Sequence, residues 1–156
     1  MEHMPENEFE SFARVWDRVL GVAPPPAADA PSALRALMDA ERSSQLLYTA
    51  LLRRCAQQSR AVLTKLADDE ARHLRALQLE YFLLLGECYS PAERHPEQQG
   101  ILSALRMAYL GEKKSGAEYL AAAEREAERA PLYRALAGEE LCHAEALRKL
   151  IEKAMR

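Results

Sequence analysis

The chain has 156 residues, a length that suits one domain with its own hydrophobic core. Ala, Leu, Glu and Arg dominate, which favours helix because these side chains lose little rotamer freedom in a helix. The net charge of −3 argues against nucleic acid or an anionic membrane as a partner, and no apolar run approaches the roughly 20 residues that a membrane span requires.

The N-terminal residues and the cysteines both bear on the compartment. Residues 1–12 are acidic and lack the hydrophobic region of a secretory signal. The cysteines, Cys55, Cys88 and Cys142, are odd in number and form no Cys-x-x-Cys pair, so we expect free thiols. These features predict a cytoplasmic protein. Cys142 is expected to fill the core rather than to bind a ligand.

The first element along the chain is a short amphipathic stretch over residues 8–20. Its apolar face comprises Phe9, Phe12, Val15, Trp16 and Val19. This pattern predicts a short N-terminal helix that packs over the outside of the domain or onto a second subunit. Three consecutive prolines, residues 24–26, then form a stiff linker. We therefore divide the chain into an N-terminal helix and linker, residues 1–31, and a main domain, residues 32–156.

Apolar periodicity in the main domain predicts four long helices. The first is expected to begin with Ser32 as its N-cap and to end near residue 57. The second covers about residues 59–85 and the third about residues 101–128, and Pro131 fits the first turn of the fourth. Apolar residues at helical spacing, including Leu84 and Leu102, are expected to face the core.

Residues 86–100, between the second and third helices, have no apolar pattern and contain two prolines. About a dozen extended residues reach roughly 40 Å at 3.3–3.6 Å each, which is enough to run the length of a helix of about 25 residues. The segment therefore predicts two helical hairpins joined by a long crossover, as in a ferritin-like four-helix bundle. We expect this crossover to let the third helix begin at the same end of the bundle as the first.

A set of two glutamates and one histidine occurs twice, once in each half of the chain. The first copy is Glu41, Glu70 and His73, and the second copy is Glu112, Glu140 and His143. The glutamates are 29 positions apart in the first copy and 28 apart in the second, and each histidine follows the second glutamate by three residues. All six residues fall on the apolar faces of their predicted helices. The chain therefore contains two copies of one unit.

The repeated set has the composition of a two-metal site. Glu and His at i and i+3 lie on one helix face, about 5–6 Å apart between Cβ atoms, so both can bind one ion. Taken singly, each glutamate would more often be a solvated surface residue. Four carboxylates converging in a core, however, would carry severe desolvation and repulsion without cations. This donor set suits two iron ions by hardness, with manganese or zinc as alternatives.

Two further pairs of residues flank the repeated set. Tyr48 and Tyr119 each follow the first glutamate of their copy by seven residues. Each is expected either to be an ordinary core aromatic, or to hydrogen-bond a ligand carboxylate or donate one electron near the metals. Asp69 and Glu139 each precede the second glutamate. We expect Asp69 to accept from His143 and Glu139 from His73, with solvated helix charges as the alternative.

The run Asp69-Glu70-Ala71-Arg72-His73 resembles the Asp-Glu-x-Arg-His signature of the rubrerythrin branch of ferritin-like di-iron proteins. Glu41 and a second, degenerate run, residues 139–143, extend the resemblance over residues 32–156. It implies a non-haem di-iron centre, commonly within a homodimer, that reduces hydrogen peroxide or activates dioxygen. By position, Glu41, Glu70, His73, Glu112, Glu140 and His143 would be the ligands, and Glu70 and Glu140 the bridging ones.

The expected activity is that of a di-iron oxidoreductase of the peroxidase or oxidase type. The three scattered cysteines cannot form the rubredoxin module of full-length members of this branch, so electrons are expected from an external donor protein. Two alternatives stay open. One is an iron-binding ferroxidase of the ferritin-like kind. The other is a metal-stabilised structural or interaction bundle that uses the N-terminal helix as its working surface.

Overall fold

The structure is a computed structural model of the chain, and it describes residues 29–156. The predicted N-terminal helix, residues 8–20, and its proline linker lie outside the described residues. Four long helices follow, with the bounds α1 Ala30–Leu52, α2 Arg60–Leu85, α3 Ile101–Arg125 and α4 Ala130–Ala154. A single 3-10 turn, Gln57–Ser59, precedes α2, and residues 29–156 contain no strand. The predicted all-α four-helix bundle is confirmed.

The ends of the helices follow local capping chemistry. Asp29, rather than Ser32, is the N-cap of α1, because its carboxylate accepts a hydrogen bond from the Ser32 backbone N–H at 2.8 Å. Pro31 occupies the first turn of α1, and Pro131 occupies the first turn of α4 as predicted. Gly86 ends α2 with a φ of 69°, a left-handed conformation that glycine adopts without a Cβ clash.

The helices pair as two hairpins, α1 with α2 and α3 with α4. Two apolar clusters fill the two ends of the bundle. Leu34 near the start of α1 shares one cluster with Ala122 near the end of α3, and Leu51 near the end of α1 shares the other with Leu105 near the start of α3. The third helix therefore begins where the first one ends. The prediction that both begin at the same end is wrong. The second helix, α2, brings the chain back to the end where α1 begins, and the crossover then takes it to the end where α1 ends.

The crossover runs along the outside of α1. Three contacts, spaced from one end of the crossover to the other, hold it in place: Tyr89 to Asp39, Glu93 to Arg42, and Gln99 to Arg54. The Tyr89 hydroxyl donates to the Asp39 carboxylate at 2.9 Å, and the Arg54 guanidinium donates to the Gln99 carbonyl at 2.6 Å. This path brings the crossover over the seam between α1 and α3.

Some predicted core positions are exposed. Leu84 and Leu102 retain 38% and 44% of their accessible surface, because they lie in the last turn of α2 and the first turn of α3, beyond the packed part of the bundle. Cys142 is also exposed, which corrects the expectation that it fills the core. It lies one position before His143, so it points about 100° away from the buried face. Within residues 29–156, none of the helices combines the length and apolarity needed to span a membrane.

Candidate metal centre

The bundle brings together all six residues of the repeated set. Each comes from the middle of its helix, between the two apolar clusters, and none exposes more than 4% of its surface. The six residues are Glu41, Glu70, His73, Glu112, Glu140 and His143. Full burial of four glutamates is unusual, since Glu is almost never fully buried without a partner. We refer to these six residues as the buried cluster.

The buried cluster divides into two overlapping groups of four, each able to hold a metal ion. The first group is Glu41, Glu70, His73 and Glu140, and the second is Glu70, Glu112, Glu140 and His143. Within each group, one ligand atom per residue lies within 4.8 Å of all the others. Ligands on opposite sides of an ion are about 4–4.5 Å apart when each bond is about 2.0–2.2 Å. Both groups are therefore close to the dimensions of a metal site, and Glu70 and Glu140 belong to both.

The imidazole rings face inward through Nδ1. His73 Nδ1 lies 2.8 Å from Glu140 Oε1 and 3.4 Å from Glu41 Oε2. His143 Nδ1 lies 3.0 Å from Glu70 Oε1 and 3.5 Å from Glu112 Oε2. The carboxylate closest to each Nδ1 thus belongs to the Glu-x-x-His motif of the other hairpin. The site is therefore formed by the two hairpins together, and neither could form it alone.

One atom from each member of the buried cluster has no hydrogen-bond partner among the described residues. These atoms are Glu41 Oε2, Glu70 Oε1, His73 Nδ1, Glu112 Oε2, Glu140 Oε1 and His143 Nδ1. Several are close together, but their orientations do not satisfy hydrogen-bond geometry. Buried polar atoms are usually paired, and leaving one unpaired costs about 1–3 kcal/mol. Six unpaired atoms converging on one space are the expected arrangement for cation ligands, so the residues present fit a metal centre.

The protonation of the buried cluster reflects this crowding of charge. Burial, together with the charges of Glu41, Glu112 and Glu140, raises the pKa of Glu70 far above its ordinary value. Burial also raises the pKa of Glu140 to about 9. Burial alone would lower the pKa of His73, but the adjacent carboxylates of Glu140 and Glu41 outweigh it and raise that pKa to about 11. Without cations, the cluster therefore retains protons at neutral pH.

The outer nitrogen of each imidazole is held by a carboxylate of the other hairpin. His73 Nε2 lies 2.9 Å from Glu139 Oε2, and His143 Nε2 lies 3.0 Å from Asp69 Oδ2. These are the hydrogen bonds expected from the sequence. Asp69 and Glu139 directly precede Glu70 and Glu140, the two glutamates that belong to both groups and that we call the shared glutamates. Both acceptors therefore project just outside the buried cluster. An N–H donated outward leaves the other ring nitrogen free for a metal.

Arg72 joins the two outer carboxylates, a role that the sequence analysis missed. Its guanidinium forms salt bridges with Asp69 and Glu139 and so links α2 to α4. The signal was its position three residues after Asp69, on the same face of the helix. Burial would raise the pKa of Asp69, but hydrogen bonds from Lys65, His143 and Arg72 outweigh it and lower that pKa to about 2. Asp69 is therefore a carboxylate at neutral pH.

The two predicted tyrosines hydrogen-bond across the hairpins. Tyr48 on α1 donates to Glu112 Oε1 on α3, and Tyr119 on α3 donates to Glu41 Oε1 on α1. Both rings are buried. Burial, followed by the charge of the bonded carboxylate, raises the pKa of both hydroxyls far above the ordinary value. The hydroxyls therefore stay protonated, and each fixes one oxygen of a glutamate while the other oxygen faces the cluster.

Comparisons with known proteins support the fold. No protein-family model matches the chain, and no curated protein matches it. A solved structure of a hypothetical protein from Pyrococcus furiosus is similar, with a TM-score of 0.68 and 24% sequence identity over 81% of this chain and 92% of that chain. That likeness establishes the fold alone. Membership of the rubrerythrin branch therefore stays a prediction.

Proposed function

We propose that this protein is a non-haem di-iron protein, similar to rubrerythrin, that performs redox chemistry on hydrogen peroxide or dioxygen. The observation that carries the proposal is the pair of overlapping four-residue groups, each with three carboxylates and one imidazole. Because Glu70 and Glu140 belong to both groups, the arrangement suits two ions that share ligands rather than one ion. Electrons would come from an external donor protein.

The donor set favours iron or manganese over zinc. Structural zinc sites are typically built from Cys and His in a closed tetrahedron, whereas carboxylate-rich sites suit harder and redox-active ions. In the buried cluster, oxygen donors outnumber nitrogen donors in both groups, and no described cysteine belongs to either group. Two iron ions would supply the pair of electrons that reduction of peroxide to water requires.

The surrounding residues would hold the ligands in fixed positions. Asp69 and Glu139 orient the imidazoles, and Tyr48 and Tyr119 each hold one oxygen of an unshared glutamate. The shared glutamates, in contrast, receive no hydrogen bond from any of these four groups. We infer that the shared glutamates are the ligands able to move when the charge of the site changes. The apolar clusters at the two ends of the bundle exclude bulk water from the site.

The cysteines support the need for an external electron donor. Cys55 is partly buried, whereas Cys88 and Cys142 are exposed, and the three lie after α1, in the crossover and on α4. No metal-ligating group within residues 29–156 combines two of them. We further propose a homodimer as the working form, as the family resemblance implies, which molecular mass in solution would test.

Metal analysis followed by rapid kinetics tests the proposal. Protein purified without added metal and then loaded anaerobically with ferrous iron should bind about two ions per chain. Oxidation of the loaded protein should be faster with peroxide than with dioxygen if the protein is a peroxidase. Faster oxidation by dioxygen would identify an oxidase or a ferroxidase instead.

A matched pair of variants provides the control. Glu70→Gln removes a shared carboxylate and should abolish both metal binding and oxidation. Glu124→Gln makes the same change at a side chain that is 79% exposed and should behave as the parent protein does. Normal binding of two ions by Glu70→Gln would contradict the assignment of the buried cluster as the metal site.

A further inference from the structure

Several paths into the buried cluster are obstructed by apolar packing or by charged side chains. The two ends of the bundle are filled by apolar clusters, through which a hydrated ion or a polar solute passes at high cost. Within each hairpin the helices pack extensively against each other. The seam between α2 and α4 is bridged by Arg72, which contacts Asp69 on one side and Glu139 on the other. Along the seam between α1 and α3, in contrast, the structure has cavities.

A cavity lies on the seam between α1 and α3. It has a volume of about 360 Å³, and on its helix side the small residues Ser44, Ala108 and Gly111 line it together with the larger Leu47 and Met107. Ser44 lies three residues after Glu41 on α1, and Gly111 directly precedes Glu112 on α3. The cavity therefore lies beside the helix turns that carry the two unshared glutamates, although neither glutamate itself lines it. We call it, together with its neighbours along α1, the crossover groove.

The crossover covers this groove without sealing it. Residues 94–97 form the outer wall of the 360 Å³ cavity. A second cavity of about 420 Å³ shares Leu47 and residues 95–97 with it, and a third of about 240 Å³ shares Ser43 and Arg94. The crossover is tied to α1 at both ends of this row, through Tyr89 and Gln99, and between them by the salt bridge from Arg42 to Glu93. Between these attachments, space for several water molecules separates it from the helices.

We propose that the crossover groove is the entrance through which small polar solutes reach the buried cluster. The solutes are hydrated divalent metal ions and, on the function proposed above, hydrogen peroxide. Three features carry this inference: the obstruction of the other paths, the small residues in the lining of the groove, and its position beside the helix turns that carry Glu41 and Glu112. The part concerning peroxide rests on the proposed function, whereas the part concerning metal ions requires only that the cluster binds metal.

Gly111 is the position at which the entrance can be narrowed. A Cβ atom built on Gly111 meets no heavy atom within 4 Å, so a side chain can begin there without a clash at its first atom. Because Gly111 lines the groove, that side chain would occupy the space of the solute. Gly138 on α4 is a matched control, since its Cβ also meets nothing within 4 Å and it lines none of the three cavities.

Uptake of Co²⁺ by the metal-free protein tests the entrance directly. Stopped-flow absorbance should show uptake at least ten-fold slower in Gly111→Leu than in the parent, with the same number of ions bound at equilibrium. Gly138→Leu should take up Co²⁺ at the parent rate. Oxidation of the ferrous-loaded Gly111→Leu protein by hydrogen peroxide should be slowed as well. Equal uptake rates in parent and Gly111→Leu would overturn the proposal.

A second variant covers the case in which Gly111→Leu does not fold. Ser43→Leu narrows the same groove from the α1 side at an exposed position, and it too should slow Co²⁺ uptake. Normal uptake in a folded Ser43→Leu together with a misfolded Gly111→Leu would also count against the entrance. Failure of the entrance is distinguishable from failure of the proposed function. If the parent binds two Co²⁺ ions and both variants bind them at the parent rate, the metal centre stands but this entrance does not. If the parent binds no Co²⁺, the metal centre itself is refuted.

Discussion

The imidazole rings of His73 and His143 stack in the middle of the bundle, with centroids 5.6 Å apart and planes inclined by 15°. Each ring directs Nδ1 toward the buried cluster and Nε2 toward a carboxylate of the opposite hairpin. Two stacked imidazolium ions repel each other, whereas two neutral rings bound to metal do not. Metal binding should therefore change the protonation of the cluster as well as its charge.

We expect metal binding to release protons. The metal-free cluster holds protons at neutral pH, because the pKa of Glu140 is raised to about 9 and that of His73 to about 11. Ligands must lose these protons before they bind an ion, so apparent affinity should rise as the pH increases from about 6 to 9. Calorimetric titration with Mn²⁺ in two buffers of different ionisation enthalpy measures the protons released. An identical heat in both buffers at pH 7 would contradict the prediction.

The stability of the metal-free protein should fall as the pH rises from about 5 to 9. Unfolded Glu and His titrate near pH 4.3 and 6.5, whereas folded Glu140 and His73 titrate near 9 and 11. In that window the folded state binds more protons than the unfolded state, so raising the pH favours unfolding. Urea unfolding with a chelator present, at pH 6 and pH 9, measures the difference. With metal bound, the ligands are deprotonated throughout and this dependence should largely disappear.

Shared and unshared ligands should differ in metal stoichiometry. Glu70 belongs to both four-residue groups, whereas Glu41 belongs to one and Glu112 to the other. Glu70→Ala should therefore lose both ions. Glu41→Ala and Glu112→Ala should each retain about one ion, because the other group stays complete. Elemental analysis after equilibrium loading and desalting gives these numbers, and equal losses in all three variants would show that the two groups do not act as separate sites.

Loss of the Tyr119 hydroxyl should weaken metal binding without removing a ligand. Tyr119→Phe leaves one oxygen of Glu41 without its donor, and outer partners of ligands typically contribute 10–100-fold to metal affinity. Tyr133→Phe is the control, because its ring lies 6.0 Å from that of Tyr119 but its hydroxyl donates to no member of the buried cluster. Competition with a chromogenic chelator measures both affinities. Equal affinities would assign Tyr119 to packing alone.

Replacing a shared glutamate by an apolar residue should have opposite effects with and without metal. Glu70→Leu replaces a crowded, buried carboxyl by an apolar side chain and so removes the desolvation cost of that carboxyl. The metal-free variant should therefore be at least as stable as the parent. With metal at 100 times its Kd, the parent should gain about 2.7 kcal/mol for each ion bound, which the variant cannot gain. Chemical unfolding with and without Mn²⁺ separates these effects, and Glu124→Leu should change stability by less than about 0.5 kcal/mol in either condition.

Which residues lie on the buried face of each helix could be predicted from the sequence to a large extent. The placement of Glu41, Glu70 and His73 on the apolar faces follows from helical periodicity alone, and so does their repetition as the second copy. Helix ends were less accurate, because the side chain that caps α1 is Asp29, three residues before the predicted position. Local hydrogen bonding decides such ends, and several neighbouring residues compete for the cap.

Of the contacts between the hairpins, the sequence predicted the pairs Asp69–His143 and Glu139–His73, whereas the others depended on the tertiary structure. Nothing in the spacing states that Tyr48 donates to Glu112, or that α3 begins where α1 ends. The groove beneath the crossover likewise exists only because the chain crosses the seam between α1 and α3 on its way along the bundle. A periodic pattern determines which residues share a face of a helix, because that depends only on the rotation per residue. Which faces meet, and at which level along the bundle, depends on packing between segments far apart in sequence, and only the folded chain decides it.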